Sequence, residues 1–305
     1  MAENSKIEWT THTANLWYGC TKVHEGCDHC YAETISHRWK RDLWGNEKPR
    51  MEIKSVWKDL DKYQKLAAAS GEMHRVFVGS MMDIFEKPMP LIDSKGNPNE
   101  DDIHTGVLRT QLFAYISMGK YPNLTFLFLT KRPSNINKYI PEQWKMIPPS
   151  NVMFGTSPVN QETAGKLIPQ LLEVKGKRFL SIEPQLGEIS LRWASWFNYK
   201  DPSTATPGVL NGENVFIRSQ YDGVKGIDWI IQGGESGHHK RPFNLEWARL
   251  MRDQCKEAGI PYFFKQIDKV QPIPEDLMIR EFPIIKWYNQ AEAEALNKFL
   301  GYGRQ

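Results

Sequence analysis

Six short runs of apolar residues constrain the fold of this 305-residue chain more than any other feature. The runs cover residues 75–80, 124–130, 151–157, 178–184, 228–234 and 261–266. Within each run the apolar character is nearly continuous, whereas a strand with one face in water would alternate apolar and polar residues. The runs therefore predict strands that are covered on both faces, as in a parallel sheet.

Helix-like segments lie between these runs. They cover residues 30–43, 105–120, 134–146, 161–176 and 244–259. Because strands alternate with helices over short links, we expect right-handed βαβ units, wound into a barrel or an open sheet.

Two stretches interrupt the alternation and are interpreted as loop insertions. The first covers residues 86–104 approximately and is polar and rich in Pro, Gly and Asn. The second is longer and covers residues 192–226 approximately. Long loops of this kind are often lids or binding elements. The apolar fraction of 40% is enough for a sizeable core, so we predict one α/β domain over residues 1–305 with two insertions.

The composition bears on location and on partners. The N-terminus has no basic segment followed by an apolar run, and no stretch reaches the roughly 18 apolar residues that a membrane helix needs. We therefore predict a cytoplasmic protein without membrane contact. The formal net charge of +3 permits a polyanionic partner without requiring one.

Polar side chains recur where the apolar runs end. They are Ser80, Asp83, Thr130, Lys131, Arg132, Thr156, Ser157, Glu183, Glu235, Ser236, Lys265 and Gln266. Active sites of α/β barrels and open α/β sheets lie at the carboxyl ends of the strands, so this pattern predicts one shared cavity. The alternative is that residues leaving any sheet are polar.

Three of the four cysteines, Cys20, Cys27 and Cys30, lie in one Gly-containing loop, while Cys255 lies on the apolar face of a predicted helix. In a reducing compartment such a cluster favours a metal site over disulfides. The thiols could hold zinc with His24 or His37 as a fourth ligand, hold a four-iron cluster with one iron left open, or carry no metal. The loop follows a possible first strand and leads into a predicted helix.

The spacing C-x6-C-x2-C resembles the C-x3-C-x2-C cluster loop of radical S-adenosylmethionine (SAM) enzymes, with Cys20 set further back. The "GC…CYAE" pieces also resemble spore photoproduct lyases. A closer resemblance is to a phage and prophage family of three-cysteine-motif proteins that is radical-SAM-like. The shared pieces are GCTKV, GCDHCYAE, SMMDIF, LTKRP, FLSIEPQLG, GGESG, RPF and FFKQ.

This resemblance implies a partial (β/α) barrel of the radical SAM type, with a [4Fe–4S] cluster on Cys20, Cys27 and Cys30. SAM would chelate the open iron through its amino and carboxylate groups. An electron from an external donor would cleave SAM to a 5′-deoxyadenosyl radical that abstracts hydrogen from the substrate. The phage setting, the photoproduct-lyase resemblance and the strand-end cations suggest a nucleic acid or nucleotide substrate in the host cytoplasm.

Two groups of strand-end residues are predicted to bind the cofactor. Ser80 and Asp83 stand where the amino group of SAM is expected, although Asp83 could instead cap a helix. Lys131 and Arg132 suit a carboxylate or phosphate, and the alternative is a surface ion pair. Ser157 is assigned to the same cofactor-contacting set.

The later strand ends offer further candidates. Glu183 is predicted to bind the ribose of SAM or to act as an acid–base group, with ion pairing to Lys131 or Lys265 as the alternative. Lys265 is predicted as a catalytic group, with a role as an ion-pair partner as the alternative. Gly233, Gly234 and Glu235 are predicted to contact the ligand, although a tight turn alone would explain the glycines. The turn at residues 238–242, HHKRP, forms a local basic patch.

Two other functions stay open on the residues alone. One is a zinc-stabilised nucleic-acid-binding protein or nuclease without redox chemistry. The other is a partner protein that keeps the fold and has lost catalysis. The spacing between Cys20 and Cys27, which is wider than in the radical SAM loop, leaves this alternative open.

Overall fold

The computed structural model describes residues 5–99, 103–191, 226–237 and 239–285, and the backbone of two strands at 196–198 and 201–206. The strands are β1 (His12–Ala14), β2 (Trp17–Tyr18), β3 (Arg50–Glu52), β4 (His74–Val78), β5 (Leu91–Ile92), β6 (Leu124–Thr130), β7 (Val152–Thr156), β8 (Lys177–Ile182), β9 (Trp196–Asn198), β10 (Asp201–Thr206), β11 (Trp229–Gly233) and β12 (Tyr262–Gln266). The α-helices are α1 (Tyr31–Arg38), α2 (Val56–Ser70), α3 (Thr105–Ser117), α4 (Ile136–Tyr139), α5 (Gln161–Leu172) and α6 (Leu245–Ala258).

Seven strands form one parallel sheet in the order β1-β4-β6-β7-β8-β11-β12. The order follows the chain, so each strand of this sheet pairs with the one before it in sequence. A doubly wound sheet would instead reverse direction at a switch point. The fold is therefore mixed α/β with a topology compatible with a partial (β/α) barrel.

The six apolar runs all form strands of this sheet, and their observed ends lie within two residues of the predicted ones. Strand β6 shows why the prediction worked, since Leu124, Phe126, Leu127 and Phe128 are all fully buried. Successive side chains of a strand point to opposite faces, so burial of neighbours means that both faces are covered. This confirms the prediction of a two-sided, parallel sheet.

Helix α2 was missed by the sequence analysis, although its pattern is regular. Val56, Leu60, Tyr63 and Ala67 are buried at spacings of three and four residues and form one apolar stripe. Gly71 ends the helix in the left-handed conformation, with φ of 67°. Charged residues between the apolar positions hide the stripe from a simple inspection.

Two predicted helices are shorter in the structure. The segment predicted over 134–146 has only the four-residue α4, flanked by 3-10 turns that contain or follow Pro133 and Pro141. Proline cannot donate the backbone hydrogen bond that would continue a helix. The segment predicted over 30–43 ends at Arg38, because Lys40 adopts a left-handed φ of 56°.

The described residues group into two compact units, one reaching to Met153 and the other covering Phe154–Ile284. The single domain over 1–305 stays a prediction.

The first insertion contains β5, and a small second sheet forms from β2, β3 and β5. Most of the second insertion lies outside the described residues. Among the helices that the structure describes, none has the length and apolar character needed to cross a membrane.

Candidate functional site

The three-cysteine loop of the first unit is anchored at the carboxyl ends of β4 and β6. The Tyr31 hydroxyl donates a hydrogen bond to Ser80 O at 2.5 Å, and Gly19 N–H donates to Met81 O at 3.2 Å. Arg132, two residues after β6, donates from Nη2 to Thr21 O at 2.6 Å. These bonds place the loop at the edge of the sheet where active sites of parallel sheets form.

The local conformation of the loop follows from its residues. Gly19 has φ of 116°, and a Cβ there would lie 2.6 Å from Leu43 O, so only glycine fits. A 3-10 turn spans Glu25–Cys27 and is capped by His24, whose Nδ1 accepts from Gly26 N–H at 3.1 Å. Cys30 is the N-cap residue of α1 and makes no side-chain capping bond. Its thiol is therefore not used by the helix.

A buried ion pair between Arg50 and Glu86 supports the loop from within. The guanidinium donates to both carboxylate oxygens at 2.8 Å, and the two side chains are 0% and 2% exposed. Arg50 Nη2 also donates to Thr21 Oγ1 at 2.9 Å. Arg50 Nη1 donates hydrogen bonds to the backbone carbonyls of Leu43, Gly45 and Lys48. This pair thus fixes the residue that follows Cys20.

A second ion pair, between Asp83 and Arg132, also holds Thr21 in place. Arg132 Nη1 donates to Asp83 Oδ2 at 2.7 Å, and its Nη2 bonds Thr21 as described. Asp83 Oδ2 also accepts from Lys131 N–H, and its Oδ1 accepts from Phe85 N–H and the Thr130 hydroxyl at 2.7 Å. Both oxygens are therefore occupied by protein donors. The predicted contact of Asp83 with SAM would have to share them.

Charges from both pairs act on Cys20. Burial raises the pKa of the Cys20 thiol to about 12, and the carboxylates of Asp83 and Glu86 add to the rise. The guanidinium groups of Arg132 and Arg50 act in the opposite direction. Burial lowers the pKa of Arg132, but the negative charges of Asp83, Cys20 and Glu86 and the hydrogen bond to Asp83 together raise it above the ordinary value.

The three thiols all lie in one loop, between residues 20 and 30. Among the described residues, no group of three or more His, Cys, Asp and Glu side chains is arranged to hold a metal ion. Of the two histidines considered as a fourth zinc ligand, His24 uses Nδ1 in its cap. His37 lies 3.9 Å from the Glu33 carboxylate, two helical turns and about 10 Å beyond Cys30. A zinc site with His37 would need the helix to unwind.

The donor set nevertheless fits an iron–sulfur cluster by its chemistry. Cys20, Cys27 and Cys30 are all free thiols and all partly exposed. Thiolates are the ligands that such clusters take, and three of them leave one iron open. The fourth cysteine, Cys255, is fully buried, and burial raises its pKa above the ordinary value. It is a core residue, as the sequence analysis expected.

Two other predicted residues lie close to this loop. Ser80 Oγ accepts a hydrogen bond from the Asn15 side chain at 2.9 Å, and its carbonyl binds Tyr31. Lys131 is half-buried after β6, and its ammonium has no hydrogen bond or ion pair with any described residue. Lys131 is thus a cation at a strand end that remains available to a ligand.

The second unit has a separate cluster at its own strand ends. Lys265 Nζ lies 3.0 Å from Glu183 Oε2, and the two side chains are 17% and 15% exposed. This is the ion pairing that the sequence analysis gave as an alternative. The other carboxylate oxygen, Glu183 Oε1, is buried and accepts no hydrogen bond from the described residues. The pair therefore keeps one unused acceptor.

Ser157, directly after β7, adds a second unused group. The residue is fully buried, and its hydroxyl has no hydrogen-bond partner in the described part of the chain. Buried polar atoms normally have partners, so an exception needs an explanation. Strands β7 and β8 are neighbours in the sheet, so Ser157 and Glu183 follow adjacent strands.

Gly233, the last residue of β11, and Gly234, which follows it, both lie in close contact with other atoms. A Cβ on Gly234 would lie 2.1 Å from Ile267 O, and one on Gly233 would lie 3.2 Å from Glu183 Oε1. Glu235 forms a bidentate ion pair with Arg241, with Nη2 at 2.8 Å from Oε1. Lys240 lies 2.7 Å from Asp268. The described cations of the predicted HHKRP patch are thus engaged in ion pairs.

Sequence reasoning missed the roles of Arg50, Glu86 and Arg241. Arg50 lies in β3, a strand of three residues with no apolar pattern, and Glu86 follows SMMDIF as an ordinary polar residue. Arg241 was treated only as part of the local basic patch. No local signal tells that Arg50 and Glu86 will be buried together, because they are 36 residues apart in sequence.

A family model described as "Protein of unknown function (DUF5131)" matches residues 4–291 of the chain. No curated protein and no solved structure matches it. The matched range includes every residue of the site described above.

Proposed function

The chain belongs to the DUF5131 family of proteins of unknown function, and we propose that it is a radical SAM enzyme. One observation carries the proposal: a loop with three free thiols is held at the carboxyl ends of β4 and β6 of a parallel sheet. Cys20, Cys27 and Cys30 would hold the metal centre. The fold would then be a partial (β/α) barrel of the radical SAM type.

A [4Fe–4S] cluster on these thiolates would supply the electron that splits SAM into methionine and a 5′-deoxyadenosyl radical, which takes a hydrogen atom from the substrate. The chain's own residues position the parts. The pairs Arg50–Glu86 and Asp83–Arg132 hold Thr21 and so fix the backbone beside Cys20.

The ligand-binding roles in the first unit go to groups that the protein leaves available. The Lys131 ammonium would bind a carboxylate or a phosphate, for which a compact cation is suited. Ser80 would orient an amino group through its hydroxyl. Asp83 and Arg132 act through the loop they hold in place, because both oxygens of Asp83 are bonded and Arg132 uses Nη1 and Nη2 on Asp83 and Thr21.

In the second unit, Glu183 and Lys265 would act as an acid–base pair. Glu183 Oε1 can accept a hydrogen bond from a ligand hydroxyl or amine, while Oε2 stays on Lys265. The Ser157 hydroxyl would donate to, or accept from, the same class of polar ligand. Glu235 contributes through its ion pair with Arg241, which shapes the turn after β11.

The substrate that we propose is a nucleic acid or a nucleotide, and the reducing electron comes from an external donor in the cell, the host cytoplasm if the gene is phage-borne. The mild positive charge of the chain supports a polyanionic substrate. The unpaired Lys131 ammonium at a strand end supports it as well.

The test starts with anaerobic reconstitution with iron and sulfide. Dithionite and SAM are then added, and 5′-deoxyadenosine is followed by mass spectrometry. We expect a brown protein with about four irons per chain and formation of 5′-deoxyadenosine. Cys27→Ala should lose both.

Cys255→Ala is the matched control, because it removes the one thiol that lies in the core. It should keep the iron content and the product. Colourless protein with one zinc per chain would overturn the proposal and favour a zinc-stabilised nucleic-acid-binding protein. A cluster that never cleaves SAM would favour a partner protein without catalysis.

A further inference from the structure

The turn that follows α1 has an unusual backbone. The helix ends at Arg38, and the sequence continues Trp39, Lys40, Arg41. Lys40 has φ of 56°, in the left-handed region that favours glycine. Only one other non-glycine residue in the described chain, Lys269, shares this feature, with φ of 69°. Strained positions of this kind concentrate at functional sites.

The same turn exposes a large aromatic ring. Trp39 is 49% exposed, and its ring lies 5.6 Å from the Tyr18 ring at an angle of 45°. Tyr18 belongs to β2, so the indole packs against a residue of regular structure. A supported ring that faces solvent is a surface on which a planar group can stack.

Two cations flank the exposed ring. The side chains of Arg38 and Lys40 are exposed, and neither the guanidinium nor the ammonium has a hydrogen bond or an ion pair with the described residues. The nearest acidic residues along the chain, Glu33 and Asp42, are already bound to Lys22 and Lys48. The charges that the side chains of residues 38–40 leave unpaired are therefore positive, and the carboxylate of Asp59 lies near enough to act on Tyr18.

We propose that Arg38, Trp39 and Lys40 form a docking site for single-stranded nucleic acid. A base would stack on Trp39, and the two cations would contact the phosphates on either side. Stacking on aromatic rings combined with cationic contacts is how proteins bind single strands without reading sequence. A base pair inside a duplex would hide the faces that stack on the indole.

The position of the turn suits delivery of a strand to the three-cysteine loop. Cys30 and Trp39 lie at opposite ends of α1, whose eight residues rise about 12 Å. This distance is about four nucleotides at the duplex rise of about 3.4 Å, and fewer in an extended strand. That the docked strand is the substrate rests on the proposed function, whereas the docking itself does not.

The test measures binding alone, on purified full-length protein without SAM. Fluorescein-labelled oligothymidine and oligouridine of about 20 nucleotides are titrated by fluorescence anisotropy, beside a blunt duplex of the same length and polyglutamate. We expect both single strands to bind more tightly than the duplex and polyglutamate. The affinities for oligothymidine and oligouridine then show whether DNA or RNA is preferred. Trp39→Ala should weaken binding by about tenfold, and Trp39→Phe should restore most of it.

Lys40→Gly and Lys269→Gly make a matched pair, because each relieves a left-handed backbone and removes one positive charge. Lys40→Gly should weaken binding and reduce the slope of log affinity against log salt by about 0.7. Lys269→Gly should change neither. Urea unfolding shows that both variants are folded.

Three results would overturn the proposal: no binding of either single strand, equal effects of the two glycine variants, or tighter binding of polyglutamate than of the oligonucleotides. The last would point to an acidic protein partner. Because no SAM or cluster enters this measurement, its failure leaves the radical SAM proposal standing. Loss of 5′-deoxyadenosine formation likewise leaves this result intact.

Discussion

Two carboxylate–cation pairs, Asp83–Arg132 and Glu183–Lys265, follow strand ends of the same sheet and differ in how many hydrogen bonds they use. Asp83 accepts four, from two side chains and two backbone N–H groups. Glu183 accepts one, from Lys265, and its Oε1 stays unused among the described residues. The first pair is saturated and acts as a scaffold, while the second keeps capacity for a ligand. Charge type and strand position alone do not separate these roles.

The largest expected effect comes from breaking the saturated pair. Asp83→Asn would turn an NH2 group toward donors and leave the partly buried Arg132 without its counter-charge. We expect the free energy of unfolding to fall by about 3–5 kcal/mol. Urea unfolding followed by circular dichroism measures this. A loss below about 1 kcal/mol would mean that the pair is not a scaffold.

Adjacent glycines provide the next contrast within the second unit. Gly234→Ala would place a Cβ 2.1 Å from Ile267 O and should cost about 1–3 kcal/mol of folding free energy. Gly233→Ala meets Glu183 Oε1 at 3.2 Å and Gln266 O at 3.3 Å, and small shifts of these two neighbours relieve both contacts. It should cost less than about 1 kcal/mol while disturbing ligand binding. Equal costs in urea unfolding would show that these neighbours cannot shift.

Two strand-end hydroxyls sharpen the same comparison. The Thr130 hydroxyl donates to Asp83 and accepts from Arg132 N–H, so Thr130→Val should lose about 1–2 kcal/mol of stability. The Ser157 hydroxyl has no partner in the described chain, so Ser157→Ala should be neutral or raise stability by up to about 1 kcal/mol. Thermal and urea unfolding of both variants test the signs. A clear loss in Ser157→Ala would reveal a structural hydrogen bond.

The smallest effect on folding is expected at Glu183. Glu183→Gln removes the negative charge from an ion pair whose two side chains are still partly exposed. The other carboxylate oxygen, Oε1, accepts no hydrogen bond from the described residues, so the substitution breaks none there. Its free energy of unfolding should change by less than about 1 kcal/mol. The variant is the matched counterpart of Asp83→Asn. If the two variants lose equal stability in urea, the distinction between scaffold and site is wrong.

The main sheet could be predicted from the sequence because its signal is local. Runs such as LTFLFLT are too apolar to have a face in water, and β6 covers the predicted residues from Leu124 to Thr130. The small sheet could not be predicted. Its strands β2 and β5 have two residues each, too few to show any period.

The sequence predicted which residues could belong to the candidate site, but it did not predict which charged residues would form ion pairs with each other. The polar strand ends and the cysteine loop were visible as residues. The pairing of Arg132 with Asp83 depends on distances set by the fold, because the two residues are 49 positions apart in sequence. Arg241 and Glu235 are six residues apart, and the turn after β11 brings them together. The turn at Arg38–Lys40 was hidden as well, because a helix-like segment gave no sign that Lys40 would turn left-handed. The cofactor, the substrate and the shared cavity stay predictions.

The order of the strands also has a consequence for synthesis on the ribosome. Every described anchor of the three-cysteine loop, from Arg50 to Arg132, precedes residue 133. At about 5–20 residues per second, the residues from 133 to Ile284 take roughly 8–30 s to be made. The loop therefore meets these anchors before the second unit has been translated. The metal centre that we propose at the three cysteines would then be loaded into a nascent chain that still lacks the second unit.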